Sequence, residues 1–295
     1  MYFCWACDYS KTTGEGQLAR LFVKDKFNNN AYIYSPNKLF NQNILVKMLN
    51  YKYFTPFMGV FICWFIYFKK DKPVYLNYLP LWNFILFLTL PPKTILGPIT
   101  GGAKFNNKNY MRRFLFPIFY KMSILIIATR FKKTTFSTDL LKRYFNKNFI
   151  NKNDFNYVLK LLKKKFINTK KTYDFIIYYR LHKNKIDNFP YEFIKRLIMQ
   201  KFKVCVVGDR LNIFGVTNYG YLDNKFIKQI INKSKYTLSS NENLFSIFTL
   251  ECINKNLKIV VNSKNKKTLN IKKKIKDNFI FIDLNKNNFN KSLFL

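Results

Sequence analysis

The sequence predicts an α/β protein with two domains, each built on a parallel β-sheet. Strand-like runs alternate with helix-like runs in both halves of the 295-residue chain. Strict alternation of this kind is typical of parallel sheets with crossover helices. Between residues 146 and 171 the composition changes to Lys and Asn around a short amphipathic insert, which indicates a domain boundary near residue 165. We therefore expect domains at residues 1–165 and 166–295.

In the first half, two glycine-containing loops follow predicted strands. The predicted strands are 2–8, 31–34, 73–79, 94–96 and 132–136, and the predicted helices are 17–24, 54–68, 81–90, 112–129 and 138–145. One loop contains Gly14, Glu15 and Gly16, and another contains Gly101 and Gly102. Glycines near strand ends leave the backbone open to a ligand, and sheets of this class bind ligands at their carboxyl ends; a plain turn is the alternative. Since the spacing is not GxGxxG, NAD is not expected.

In the second half, residues 239–251 form the stretch most typical of a phosphate site. The predicted strands are 174–179, 203–207, 215–221, 235–240 and 257–261, and the predicted helices include 191–199 and 223–232. Ser239, Ser240 and Asn241 end a strand and supply helix-capping side chains before an apolar-periodic segment. The free N–H groups and the dipole of such a helix start attract an anion.

The formal net charge of +37 predicts polyanionic partners, namely nucleic acid, nucleotide phosphates or an anionic membrane face. An A+T-rich coding sequence accounts for much of the Lys and Asn without reference to function. A basic RNA-binding or ribosomal protein is the main alternative function. Because the sequence has no RNP-type aromatic signature, GXXG loop or Cys/His zinc module, nucleic acid is a weaker expectation than a nucleotide.

Cysteine and histidine usage argues against disulfides, metal sites and Ser-His catalysis. The five cysteines are odd in number and lie in apolar segments, which indicates free thiols in a reducing compartment. Cys4 and Cys7 form a C-x-x-C motif inside a predicted strand. A zinc site there would need further ligands, and His182 is the only histidine in the sequence. We expect no metal and no tightly bound cofactor.

No segment is expected to span a membrane. The N-terminus lacks the basic region of a signal peptide. The apolar run 54–68 is shorter than the roughly 20 residues that a spanning helix needs, and the run 114–128 contains Pro117 and Lys121. Because basic and aromatic residues flank both runs, we expect a cytoplasmic protein with peripheral attachment to an anionic membrane surface, the inner face of the plasma membrane.

Three motifs of the second half occur in the order found in the carboxyl-terminal domain of GT-B glycosyltransferases. Arg180 ends a predicted strand and Lys185 follows five residues later. Val207-Gly208-Asp209 is followed by Gly220, and residues 243–251 resemble the family helix Glu-x-Phe-Gly-x-x-x-x-Glu. The two glycine loops of the first half resemble, less specifically, the cleft loops of the first domain. The sequence therefore resembles the GT-B glycosyltransferases, of the family 4 or group 1 type.

The resemblance implies two Rossmann-like domains whose parallel sheets face a cleft. It implies transfer of a sugar from a nucleotide diphosphate sugar, the co-substrate, to a saccharide or lipid-linked saccharide acceptor, with retention of configuration and without a metal. The catalytic positions are then Arg180, Lys185 and Asn243. The donor-binding positions are Gly208, Gly220, Tyr221, Glu242, Ser246, Ile247 and Glu251. The acceptor or cleft loops contain Asp8, Gly14, Glu15, Gly16, Gly101 and Gly102.

The chemistry of the transfer explains these residue types. Negative charge develops on the departing phosphate, and fixed cations such as Arg180 and Lys185 stabilise it. Glu251 would accept hydrogen bonds from ribose hydroxyls, as in the family. Asp8 or Glu15 would be the general base only if the reaction inverts the anomeric centre.

The sequence departs from the family pattern at three positions. Asn243 replaces the first glutamate of the helix motif, with Glu242 one position earlier. Ser246 replaces a glycine, and Tyr179 replaces the glycine before the arginine. Since an asparagine can hydrogen-bond a sugar hydroxyl but carries no carboxylate, a degenerate transferase that binds without catalysing is a third alternative.

Overall fold

The structure is a computed structural model that forms two compact units, Met1–Tyr157 and Val158–Leu295. It describes residues 1–11, 13–36, 51–100, 110–162, 169–181, 186, 189–239, 246–266, 273–285 and 291–294. Each unit has its own parallel sheet.

The first unit contains a four-stranded parallel sheet of order β2-β1-β3-β4. Its strands are β1 (Tyr2–Trp5), β2 (Ala31–Tyr34), β3 (Pro73–Tyr75) and β4 (Ile95–Leu96). Its helices are α1 (Gly14–Phe27), α2 (Tyr51–Phe68), α3 (Phe84–Thr89), α4 (Tyr110–Arg130) and α5 (Lys147–Lys152), with a 3₁₀ helix at Asp139–Tyr144. Because crossovers between parallel strands are almost always right-handed, this strand order places α1 on one face of the sheet and α2 and α3 on the other.

The second unit contains a six-stranded parallel sheet of order β10-β9-β8-β5-β6-β7. Its strands are β5 (Tyr173–Tyr179), β6 (Val204–Gly208), β7 (Val216–Asn218), β8 (Ser234–Leu238), β9 (Lys258–Asn262) and β10 (Phe279–Ile282). Its helices are α7 (Tyr191–Met199), α8 (Asn224–Asn232), α9 (Ile247–Asn254) and α10 (Lys273–Lys276), while α6 (Tyr157–Lys160) begins at the last residue of the first unit. Short 3₁₀ helices occur at Ser263–Asn265 and Lys291–Phe294.

Each unit buries its own apolar core between the sheet and the helices. In the first core, Trp5 and Tyr75 are neighbours on adjacent strands and both are fully buried. Helix α2 reaches them because Gly59 has no side chain: a Cβ there would lie 2.2 Å from the Trp5 ring. In the second core, Phe175 of β5 and Val260 of β9 are buried with the apolar face of α7. This packing fixes each sheet and hence the positions of the strand ends.

The prediction of an α/β chain with two parallel sheets is confirmed. Several local predictions differ from the structure; the predicted strands 2–8 and 73–79, for example, end earlier, at Trp5 and Tyr75. The segment 132–136 was predicted as a strand, but it forms only isolated β-bridges, such as that between Thr135 and Asp154, and is not a regular strand. Strand β10 was not predicted, and α1 begins at Gly14, three residues earlier than expected, because the Thr13 hydroxyl caps it by accepting the Gly16 N–H at 3.0 Å.

In the part of the chain that the structure describes, no helix has both the length and the hydropathy for crossing a membrane. The described residues also contain no group of three His, Cys, Asp or Glu side chains arranged to hold a metal ion.

All five cysteines are free thiols, and four of them are buried. Burial raises the pKa of the Cys7 thiol to about 11 and that of the Cys4 thiol to about 12. Because the thiolate is the reactive species, we expect native protein at pH 8 to react with iodoacetamide at least about tenfold more slowly than urea-unfolded protein. Mass spectrometry of both samples measures this. Rapid modification of Cys4 in the native state would contradict the buried strand.

Candidate functional site

Each sheet contains a switch point, a pair of adjacent strands from which the chain leaves toward opposite faces. In the second unit the pair is β5 and β8, because the chain runs from β5 to β6 on one side and from β8 to β9 on the other. In the first unit the pair is β1 and β3. Open parallel sheets bind ligands in the crevice outside the carboxyl ends of such strands.

In the first unit, the switch point is bridged by the side chain of Asn77, which is almost fully buried. Its Nδ2 donates to the Asp8 carbonyl oxygen, and its Oδ1 accepts the Asp8 N–H at 3.3 Å. The Asp8 carboxylate is also engaged, because Oδ1 accepts the Ser10 N–H at 2.8 Å and Oδ2 accepts the Thr13 hydroxyl. Asp8 therefore holds the loop between β1 and α1 in shape.

The glycines of this loop have different surroundings. Gly16 is buried, and a Cβ there would lie 2.4 Å from the Ser10 carbonyl oxygen and 2.8 Å from the Asp8 carboxylate. From the sequence we expected a ligand to approach the backbone at these glycines. At Gly16 the close approach is made by the chain itself. Gly14 is exposed, and a Cβ added there would have no atom within 4 Å. Glu15 lies in the first turn of α1.

In the second unit, the ends of β5 and β6 are tied together by backbone contacts. The Asp209 N–H donates to the Tyr179 carbonyl oxygen at 3.0 Å, and the Asp209 carboxylate accepts the Leu181 N–H at 2.6 Å. Gly208 adopts φ = +105°, and a Cβ there would lie 2.2 Å from the same Tyr179 oxygen. The Gly208 N–H donates to the Gly220 carbonyl oxygen at 2.9 Å. These contacts position the residue that follows β5, Arg180.

The Arg180 side chain is exposed at the carboxyl edge of the sheet, and no ion pair within the described chain engages it. Tyr221 lies near it: desolvation and then a hydrogen bond to the Asp209 carboxylate raise the pKa of the Tyr221 phenol, while the Arg180 charge lowers it. Arg180 is thus an accessible cation held close to the switch point.

The other side of this switch point is formed by the end of β8 and the start of α9. Ser246 caps α9, with its Oγ accepting the Thr249 N–H at 3.2 Å. Ser239, directly after β8, is only 4% exposed, and its hydroxyl has no hydrogen-bond partner among the residues that the structure describes. A buried hydroxyl without a partner costs about 1–3 kcal/mol, which points to a polar ligand. The ring of Phe248 in α9 stacks on that of Tyr178 in β5 at 5.6 Å.

Comparison with solved structures shows similarity to glycosyltransferases. HepE from Anabaena in complex with UDP-glucose is 9% identical, with 88% of this chain and 80% of HepE covered and a TM-score of 0.46. A DNA-modifying β-glucosyltransferase is 10% identical over 89% of this chain and 80% of its own, with a TM-score of 0.43. Heptosyltransferase WaaC from E. coli, in complex with ADP, is 9% identical over 95% of this chain and 92% of its own, with a TM-score of 0.35. No protein-family model and no curated protein matches the sequence.

These identities and TM-scores are too low to assign an activity or a substrate to this chain. None of the matched structures identifies it with family 4 in particular.

The structure brings together part of the predicted donor site. Arg180, Gly208, Gly220 and Tyr221 lie around the ends of β5 to β7, and Ser246 and Ile247 begin α9. Five predicted site residues lie outside the described residues: Lys185, Glu242 and Asn243 of the second half, and the glycine pair Gly101-Gly102 of the first.

Glu251 lies in α9, about one turn beyond Phe248 and therefore on the same side of the helix. One of its carboxylate oxygens is 3.6 Å from the Lys228 Nζ of α8. Both side chains are partly exposed, so this ion pair is weak, and Glu251 remains available to a ligand at the cost of little energy.

Sequence reasoning missed three polar residues of the two switch points. Asn77 is the one amide side chain in the apolar run PVYLNYL. A single polar residue in such a run was the signal that could have identified Asn77 as a site residue. Asp209 was noticed only as part of a motif, although its carboxylate joins two strand ends. Ser239 was treated as a capping residue, whereas Ser246 performs that role.

A cavity of about 340 Å³ in the second unit is separate from the candidate site. It is lined by residues of α8 and by Tyr173, at the start of β5, and Tyr219. The hydroxyls of these two tyrosines hydrogen-bond each other. The cavity therefore lies against the first residue of β5, whereas Arg180 follows the last residue of that strand.

Proposed function

We propose that the chain is a glycosyltransferase that binds the diphosphate of a nucleotide sugar at the β5/β8 switch point. The observation that carries the proposal is that two anion-binding groups directly follow the neighbouring strands β5 and β8, and that a third begins a helix, α9, which packs against β5 through Phe248 and Tyr178. The first two groups are the exposed guanidinium of Arg180 and the hydroxyl of Ser239, which has no hydrogen-bond partner among the described residues. The third is the start of α9, which Ser246 caps. A cation, a hydroxyl and a helix dipole together suit a phosphate group.

Bond cleavage in the donor transfers negative charge to the leaving diphosphate. Arg180 forms bidentate hydrogen bonds with phosphate oxygens, and the N–H groups at the start of α9 stabilise the same charge without reorganising. The rings of Tyr178 and Phe248 supply an apolar surface for the base beside it. Lys185, Asn243 and Glu242 remain predicted participants, as does Glu251 for the ribose hydroxyls.

Retention of configuration and independence from metal are part of the proposal. Asp8 supports retention in part: it is one of the two candidate bases of an inverting reaction, the other being Glu15, and both oxygens of its carboxylate already accept hydrogen bonds in the loop. The cationic and dipolar groups of the second unit take the charge-stabilising role that a metal ion would otherwise have. The acceptor is proposed to be a saccharide or lipid-linked saccharide that binds the first domain.

Calorimetry with the full chain tests the donor site. UDP, GDP and ADP are each compared with the corresponding nucleoside at low and at physiological salt. We expect at least one diphosphate to bind at least about tenfold more tightly than its nucleoside, because the phosphates provide charge-assisted hydrogen bonds. The absence of diphosphate binding at low salt, together with tight RNA binding, would establish the RNA-binding alternative instead.

Release of nucleotide diphosphate from a panel of nucleotide sugars tests turnover. We expect release to depend on an added saccharide or lipid-linked acceptor and to be unchanged by EDTA. Binding without release would identify a degenerate transferase.

Substitution of Ser246 separates helix capping from anion binding. Asp caps helices as well as Ser does, so Ser246→Asp is expected to change the free energy of unfolding by less than about 0.5 kcal/mol. Its negative charge at the phosphate position is expected to weaken diphosphate binding at least about tenfold. Ser246→Ala is the matched control, because it loses the cap, at about 1 kcal/mol, and adds no charge. Full affinity in Ser246→Asp, measured by calorimetry, would place the phosphate elsewhere.

A further inference from the structure

The outward face of α2 carries a continuous stripe of phenylalanine. Phe54, Phe57, Phe61, Phe65 and Phe68 are all exposed, by 43–75%. Their spacing of three and four residues places them on one side of the helix, over about 21 Å. The surface helix of a soluble α/β protein normally presents polar side chains to water. The five rings are therefore an unusual surface.

The stripe continues across the two following helices. Helix α3 exposes Ile85 and Leu88, and it contacts both α2 and α4. The Trp64 indole N–H of α2 donates to the Thr89 carbonyl oxygen at the end of α3. Helix α4 exposes Ile118 and Leu125 on its outward side. Because α3 contacts both of the other helices, we treat the exposed apolar side chains of α2, α3 and α4 together and call them the α2–α4 face.

The chain segment that carries the α2–α4 face is almost entirely positive in its charge. Residues 51–133 contain thirteen Lys and Arg and a single acidic residue, Asp71. Exposed lysines follow the helix ends: Lys69 and Lys70 follow α2, and Lys132 follows α4. The Lys69 Nζ lies 4.3 Å from the centre of the Phe65 ring. An apolar face bordered by cations matches the chemistry of an anionic lipid surface, with acyl chains below charged headgroups.

We propose that the α2–α4 face docks on the surface of an anionic lipid bilayer. A second copy of the chain fits less well, because two molecules of charge +37 repel each other. RNA also fits less well, because the Phe stripe and the neighbouring Ile and Leu side chains offer no hydrogen bonds to phosphate or base edges. The helices lie in the interface, with the rings reaching the acyl boundary and the lysines at the headgroups.

The tryptophans of the chain provide a native probe of this docking. All three lie in the first unit: Trp5 is buried, Trp64 of α2 is half-buried, and Trp82 beside α3 is 40% exposed. The full chain is mixed with vesicles of equal parts phosphatidylglycerol and brominated phosphatidylcholine, and with vesicles of brominated phosphatidylcholine alone. We expect co-flotation and quenching of tryptophan fluorescence with the anionic vesicles, and at least about tenfold weaker binding to the neutral ones, since several lysines contribute.

A double substitution on the stripe tests the location. Phe61→Ser/Phe65→Ser is expected to reduce the partition coefficient at least about tenfold, because two rings no longer leave water. Phe214→Ser/Phe226→Ser is the matched control, because it removes two exposed rings of the second unit, which are 100% and 52% exposed, and should bind as wild type. Thermal melts verify folding, and Phe54→Ser/Phe68→Ser replaces the first variant if that one is unstable.

Three outcomes would overturn the proposal. They are equal loss of binding in the control, vesicle binding without fluorescence quenching, and self-association in the ultracentrifuge that the Phe61/Phe65 variant abolishes while no vesicle is bound. Diphosphate binding by the Phe61/Phe65 variant should equal that of wild type, so failure of this proposal is distinguishable from failure of the proposed donor site.

Discussion

Arg180→Ala is expected to weaken nucleotide diphosphate binding about 10- to 100-fold and to lower turnover about 100- to 1,000-fold. The guanidinium is exposed directly after β5, where the contacts of Asp209 with Tyr179 and Leu181 fix the backbone. Its loss removes a charge-assisted hydrogen bond to the diphosphate. The effect on turnover exceeds that on binding because the leaving group is more negative in the transition state than in the bound donor.

Calorimetry measures the binding effect, and release of the diphosphate measures turnover. Arg180→Lys keeps the charge but loses the bidentate fork, so it should restore only part of the affinity. Lys201→Ala is the control, because it removes an exposed cation from the turn that precedes β6, at the opposite edge of the sheet. If Lys201→Ala and Arg180→Ala weaken binding equally, the net charge of the chain and not a built site attracts the diphosphate.

Gly208→Ala is expected to destabilise the second unit by about 3 kcal/mol or more. Two effects add. The φ of +105° is unfavourable for any L residue with a side chain, and the added Cβ would meet the Tyr179 carbonyl oxygen at 2.2 Å. Since that oxygen accepts the Asp209 N–H at 3.0 Å, relief of the contact would also move the end of β5 and weaken diphosphate binding.

Urea unfolding of Gly208→Ala is compared with that of Gly220→Ala. Gly220 has φ = +71° with no atom within 4 Å of a Cβ position, so Gly220→Ala carries only the conformational cost, about 1 kcal/mol. The difference between the two variants contains the contact with Tyr179 and the additional conformational cost of the larger φ at Gly208. Equal unfolding free energies would show that β5 and β6 do not approach as closely as described.

The local chemistry of the sequence determined the element types and the class of fold. Helix α7 was predicted at its observed bounds, 191–199, because its apolar residues recur with the helical period and therefore need no distant partner to be recognised. Strands β5, β6 and β8 were recognisable as apolar runs ending at polar residues. Strand β10 was missed because a four-residue apolar run is compatible with several structures until it pairs with β9.

The order of the strands in each sheet was decided only by the tertiary structure. The pairing of β5 with both β6 and β8 places Arg180 and Ser239 at one switch point, although 59 positions separate them in the sequence. Likewise, Gly16 fits against Ser10 and Gly208 against Tyr179, contacts that the positions of the glycines in the sequence do not reveal.

The composition of the chain determined its charge and its abundance of aromatic residues, but not which of those residues remain exposed. The Phe stripe of α2 became visible only when the opposite side of the helix packed against Trp5 and Tyr75. Local periodicity is a property of neighbours in the chain, and the sequence contains it in full. Strand order and exposure depend on contacts between distant segments, so only the folded molecule decides them.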